Sequence, residues 1–167
     1  MGYLFKKLVG IEPLNLTKEG MEQLKSYGEQ VKFYDDVPKD DLAITERIGD
    51  ADGVLLSYTS RIGGKVIEQC PNIRYIGMCC SLYAPESANV DIITANKKGI
   101  VVKGVRDYGD QGVPEYVISE LVRLLHGFGP AMWRNEPIEL TDLEVGVLGM
   151  GVSGTLVAKA LKFFGAK

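Results

Sequence analysis

One hexapeptide has the residue types and spacing for recognisable chemistry. Gly149-Met150-Gly151-Val152-Ser153-Gly154 is a G-x-G-x-x-G run. It follows an apolar segment, Leu143 to Leu148, that reads as a strand, and it opens an apolar-periodic segment to about Phe164 that reads as a helix. Between a strand and a helix, such a run suits a dinucleotide. The first glycine permits a sharp turn and the second lets a pyrophosphate approach the backbone. The third lets the helix pack closely. Free N–H groups and the positive end of the helix dipole then face the phosphates. The plain alternative is a glycine-rich β–α turn without a ligand. An acidic residue about 20 positions on normally holds the adenosine ribose, and that position would fall beyond Lys167.

Other reactive residues are sparse. There are three cysteines, Cys70, Cys79 and Cys80, with no C-x-x-C pair, and His126 is the one histidine. A zinc site would have to lean on carboxylates, so no metal ligands are assigned. Adjacent cysteines rarely bridge one another, so the three read as reduced, buried thiols, and no histidine lies near them in sequence to activate one as a nucleophile.

The elements that must position the turn come before it. Short apolar runs at Lys7–Ile11, Gln30–Tyr34, Gly53–Ser57, Arg74–Met78 and Ile100–Lys103 read as strands. They alternate with helical stretches at Lys18–Tyr27, Lys39–Gly49, Gly64–Cys70 and Asp91–Lys98. Thr17 and Asp91 suit N-caps, and Gly28 and Gly99 suit left-handed C′ positions. Strands spaced this way with intervening helices must run parallel. Val54-Leu55-Leu56 reads as buried on both faces. The expected fold is α/β: a flavodoxin-like doubly wound parallel sheet, then a crossing helix and the first β-α unit of a Rossmann domain. Domain boundaries are expected at 1–104, 105–142 and 143–167. Val113 to about His126 is the crossing helix, with Pro114 in its first turn, where a missing N–H costs nothing.

Two common uses of such a sheet do not fit. The loop after the first strand, Glu12-Pro13-Leu14-Asn15, lacks the Ser/Thr/Gly character of a flavin-phosphate loop. The third strand ends in Ser57-Tyr58 rather than in a phospho-acceptor Asp.

Bulk properties agree with an ordinary globular chain. It has 167 residues, 46% apolar and 25% charged, with a net charge of −3 and a mean hydropathy of +0.02. Twenty glycines exceed the usual share of about 7%, consistent with tight turns. The acidic balance lacks the basic stripe of a nucleic-acid binder. No apolar run reaches the roughly 18 residues of a membrane span. Lys6 stands where a myristoylation motif wants Ser or Thr. The expectations are a cytoplasmic location and neither nucleic-acid nor membrane partners.

Several collinear motifs resemble the D-isomer-specific 2-hydroxyacid dehydrogenases. They are Ala51-Asp52-Gly53-Val54, Pro71-Asn72-Ile73-Arg74-Tyr75-Ile76-Gly77, and Asn89-Val90-Asp91 running to Lys98-Gly99-Ile100-Val101-Val102. Tyr108 with Val113-Pro114-Glu115-Tyr116, then Trp133 and Leu140 to Gly154, complete the set. The resemblance implies a substrate domain and a nicotinamide domain, with NAD or NADP as cofactor and a small 2-keto or 2-hydroxy acid as substrate. The cofactor would meet Gly149, Met150, Gly151, Val152, Ser153 and Gly154. The substrate loop would involve Cys80, Ser81 and Tyr58, with Cys80 and Ser81 at the donor turn after the fourth strand. That stretch, Met78 to Ala88, is longer and bulkier than the family's glycine-containing turn. The family's Arg, Glu and His would fall beyond Lys167. Arg106, Arg123, Glu115 and His126 are not expected to replace them, so no catalytic residue is assigned and the chain alone is expected to be inactive. A homodimer is expected through residues 113–126 and 144–164. The alternative is a non-enzymatic, self-associating interaction or regulatory protein that kept the scaffold.

Overall fold

A computed structural model describes residues 2–106 and 108–167. The chain divides into two compact units, Met1–Arg106 and Asp107–Lys167.

The first unit is a five-stranded parallel sheet: β1 (Phe5–Gly10), β2 (Gly28–Phe33), β3 (Gly53–Leu56), β4 (Tyr75–Ser81) and β5 (Val101–Val105). Its order is β2-β1-β3-β4-β5, the doubly wound arrangement expected. Four helices connect the strands: α1 (Lys18–Lys25), α2 (Asp41–Ile48), α3 (Gly64–Gln69) and α4 (Ile92–Lys97). Every residue of β3 is buried, and β3 pairs Val9 with Val54 on one side and Val54 with Ile76 on the other. The larger core packs Val9, Val54, Leu56, Ile76 and Met78 with Ile44, Ile48, Val66 and Ile67 of the helices. The opposite face packs Phe5, Leu8, Leu14 and Leu55. One central strand thus feeds both cores, as alternating side chains require.

Helix starts follow side-chain caps. Thr17 accepts the Gly20 N–H at 3.2 Å and Asp91 accepts the Thr94 N–H at 2.9 Å. Asp40 likewise caps α2, accepting the Ala43 N–H at 2.8 Å. Gly99 takes the left-handed conformation, with φ +71°. Gly28 does not end a helix. It is the first residue of β2, and α1 stops earlier at Ser26. Its lack of a side chain serves packing, since a Cβ there would stand 2.8 Å from the Val31 side chain.

The second unit holds α5 (Gly112–His126) and α6 (Val152–Phe163). They enclose a small core of Leu125, Leu140, Val157 and Leu161. Gly127, at φ +72°, closes α5, and the His126 ring stacks on Phe128 with centroids 5.6 Å apart. The segment Leu143 to Leu148 belongs to no strand of the described residues. The reason is pairing: only its start has a neighbour. Lys167 N–H donates to the Leu143 carbonyl at 2.8 Å, and Val145 N–H donates to the Lys167 carbonyl at 3.0 Å. That is one rung of a parallel pair centred on Glu144. Among the described residues, no helix is long and apolar enough to cross a membrane.

Candidate functional site

Two places carry polar geometry beyond what the fold requires, one in each unit.

In the first unit the place is the C-terminal edge of the sheet, where β1 and β3 lead chain in opposite directions. Open α/β sheets bind ligands at such switch points. Glu12, just past β1, is fully buried. Its Oε1 accepts the Ser57 N–H at 2.7 Å and its Oε2 accepts the Ser60 hydroxyl at 2.6 Å. Short charge-assisted bonds of this kind offset the cost of burying a carboxylate. From the other side, Asn89 Nδ2 donates to the carbonyls of Ser57 and Ser60, at 2.6 and 2.7 Å. A parallel bridge between Ile62 and Val90 ties the same two segments together. Residues 57–60 are therefore gripped at both ends, and Tyr58 projects between the grips, 75% exposed.

Cys80 and Ser81 stand elsewhere than in the turn expected of them. Both belong to β4, which continues past a register irregularity between Met78 and Ser81, where Ser81 pairs with Val105. The ladder with β5 reaches further than the apolar run, so the turn begins only at Leu82. Cys80 is buried, and its thiol donates to the Ser57 carbonyl at 3.6 Å. Burial and then the nearby Glu12 carboxylate push the Cys80 thiol above its ordinary value. Burial, then Cys80 and Glu12, do the same to Cys79. Such thiols stay protonated and are poor nucleophiles. Arg106 pins the loop after β4, donating to the carbonyls of Leu82 at 2.8 Å and Tyr83 at 2.9 Å. Glu12 and Asn89 were not singled out as site residues. The available signal was an acidic residue directly after an apolar strand, which patterning alone reads as a loop residue.

In the second unit the place is the glycine-rich turn. Gly149 has φ +92°, a conformation L side chains rarely adopt. Gly151 is the N-cap of α6 with no side-chain cap bond, and a Cβ on it would meet nothing within 4 Å. The turn is open on that side. Gly154 is the reverse, since a Cβ there would lie 1.9 Å from the Gly149 carbonyl oxygen. The turn folds back on the first turn of α6, whose leading N–H groups lack intrahelical partners. Ser153 donates its hydroxyl to Asp110 Oδ1 at 3.0 Å. An anionic group could approach at Gly151 without steric cost, so the turn fits a dinucleotide pyrophosphate. Among the described residues, no group of three or more His, Cys, Asp or Glu side chains is arranged for a metal ion.

A doubly wound parallel α/β unit followed by a glycine-rich turn at a helix start defines the class of fold. The family model for the D-isomer specific 2-hydroxyacid dehydrogenase catalytic domain matches residues 9–161. The chain belongs to that family. It is 31% identical over 174 residues to the hydroxypyruvate reductase of Blautia hydrogenotrophica, covering 94% of this chain and 51% of that protein. It is 23% identical to the glyoxylate reductase of Korarchaeum cryptofilum, covering 91% of this chain and 49% of that one. Among solved structures, D-lactate dehydrogenase from Escherichia coli superposes with a TM-score of 0.69 at 19% identity, covering 96% of this chain and 53% of that one. The NAD+-bound 3-phosphoglycerate dehydrogenase of Entamoeba histolytica gives 0.66 at 24% identity, covering 97% and 52%. At these identities the structural likenesses establish the fold. The chain spans about half the length of the relatives it matches.

Proposed function

We propose that the chain is the substrate-domain part of a nicotinamide-dependent 2-hydroxyacid dehydrogenase, joined to the opening of its cofactor domain. On this reading residues 1–104 receive a small 2-keto or 2-hydroxy acid and residues 105–142 form the crossing helix and linker. Residues 143–167 begin the cofactor domain. The observation that carries it is the turn at Gly149–Gly154: open at Gly151, closed against the backbone at Gly154, and placed at the start of a 12-residue helix. Gly151, Val152 and Ser153 would hold the pyrophosphate of NAD or NADP, which supplies the hydride acceptor or donor when bound. Tyr58, held by the Glu12 and Asn89 grips, would face the acid, with Cys80 and Ser81 backing it from β4.

By the same reading the 167-residue polypeptide binds dinucleotide but does not turn over. On this reading the family's proton donor and carboxylate clamp are supplied by residues other than these, and such groups contribute about 10²-fold or more each in rate. Titration with NADH should show saturable quenching of cofactor fluorescence, with no NADH oxidation on adding hydroxypyruvate or glyoxylate. Acid-dependent oxidation would overturn the claim of inactivity. Absence of NADH binding would overturn the assignment of the turn.

A further inference from the structure

The loop before α5 brings a carboxylate to the dinucleotide turn. Asp110 lies two residues ahead of Gly112, the first residue of α5, and its carbonyl accepts the Val113 N–H at 3.3 Å. Its side chain reaches α6, where Oδ1 accepts the hydroxyl of Ser153, the second residue of that helix, at 3.0 Å. Oδ2 is sealed from solvent and, among the described residues, is a buried side-chain oxygen with no hydrogen-bond partner. A buried acceptor without a donor calls for a reason. The surroundings supply one in electrostatic form. The carboxylate meets the first turn of α6 through Ser153, and a helix N-terminus carries partial positive charge and unpaired N–H groups. Asp110 thus sits at the positive end of α6 with one oxygen held by the Ser153 hydroxyl and the other without a donor.

We propose that Asp110 is a resident anion at the turn, occupying the field that an incoming pyrophosphate needs, and that dinucleotide binding displaces it. The proposal rests on the reading of the turn given under Proposed function. A carboxylate and a phosphate drawn to one helix terminus repel each other, and the Ser153 hydroxyl has a single proton to donate. The loop is built to yield. Gly109 takes φ +71°, and neither Gly109 nor Gly112 has an atom within 4 Å of its Cβ position. Asp110 thereby steadies the turn before binding and weakens the binding itself.

The test is Asp110→Asn in the 167-residue chain, which keeps an acceptor for Ser153 and removes the charge. NADH and, separately, inorganic pyrophosphate are titrated at low and at high salt. The variant should bind both about tenfold more tightly at low salt, a gap within the reach of a charge at a helix terminus. The gap should narrow only in part near 1 M salt, because a carboxylate sealed from solvent is screened less than an exposed one. Asp110→Ser, which drops the charge differently, should shift affinity in the same direction, so a folding defect in one variant is recognised by the other. Equal or weaker binding by the variants, with the parent chain binding NADH, overturns the resident-anion role and leaves the turn's assignment standing. Failure of parent and variants alike to bind overturns both.

Discussion

The runs Val54-Leu55-Leu56 and Val145-Gly146-Val147-Leu148 are similar in chemistry and differ in fate. The first lies between β1 and β4 with all of its residues buried. The second has a single rung to Lys167, and Leu148 at its end is fully exposed. A strand is a relation between chains, not a property of a run: backbone groups and apolar side chains gain from extension only when neighbours take up both. In the first unit five runs supply one another with neighbours. In the second, two helices supply a core against which Val145 and Val147 pack, while Leu148 at the end of the segment stays exposed.

That contrast can be broken by mutation, and the largest effect belongs to the first unit. Leu56→Ala should destabilise it by about 2–5 kcal/mol in chemical denaturation, because the side chain is fully buried and its removal leaves a cavity. Leu148→Ala, the same substitution on the exposed run, should stay within about 0.5 kcal/mol. Comparable losses at both positions would mean that Leu148 is covered in solution and that the contrast is false.

A pair of glycines sharpens the comparison within the second unit. Gly154→Ala drives a methyl against the Gly149 carbonyl, and backbone cannot step aside as a flexible side chain can. It should cost about 1–3 kcal/mol, as overpacking does, and should remove NADH binding with it. Gly151→Ala points into open space, so it should leave stability unchanged while weakening NADH binding, because the methyl fills the phosphate's approach. Thermal unfolding followed alongside NADH titration separates the two. If Gly151→Ala bound NADH as the parent does, the phosphate path would lie elsewhere.

Legibility followed the same division. The five parallel strands, the caps at Thr17 and Asp91 and the left-handed Gly99 were readable because local pattern and global packing agree there. Gly28 was misread because glycine after a helix has two uses, and only the close approach of Val31 reveals which applies. The end of β4 at Cys80 and Ser81 depends on how far β5 extends beside it, information that no local run contains. Glu12 was invisible as a site residue because its role is defined by Ser57 and Ser60, 45 and 48 residues away. The conformation of the glycine-rich turn was legible because the glycine spacing that shapes it lies within six residues.

The remaining effect concerns the opposite edge of the sheet and isolates the first unit by pH. Burial works against ionisation of Asp52, but the Lys7 and Lys6 N–H groups and Arg74 outweigh it and hold the carboxyl below its usual value of 3.8. The bonds are 3.0 Å from Lys7, 3.3 Å from Lys6 and 2.9 Å from Arg74. A carboxyl with a depressed folded-state value stabilises the protein fully above its unfolded-state value. That contribution is lost as pH falls from about 4 through the folded-state value. Asp52→Asn should therefore lower stability by about 1 kcal/mol at neutral pH, and the deficit should shrink as acid neutralises the parent's carboxyl. The readout is denaturation of both chains between pH 7 and pH 2, followed by hydrogen exchange at β1 and β3. Because Asp52 joins β1, β3 and the Arg74 segment before β4, the change should appear in the sheet while exchange at α5 and α6 stays as it was. A deficit that persisted unchanged at pH 2 would show that Asp52 acts by shape rather than by charge.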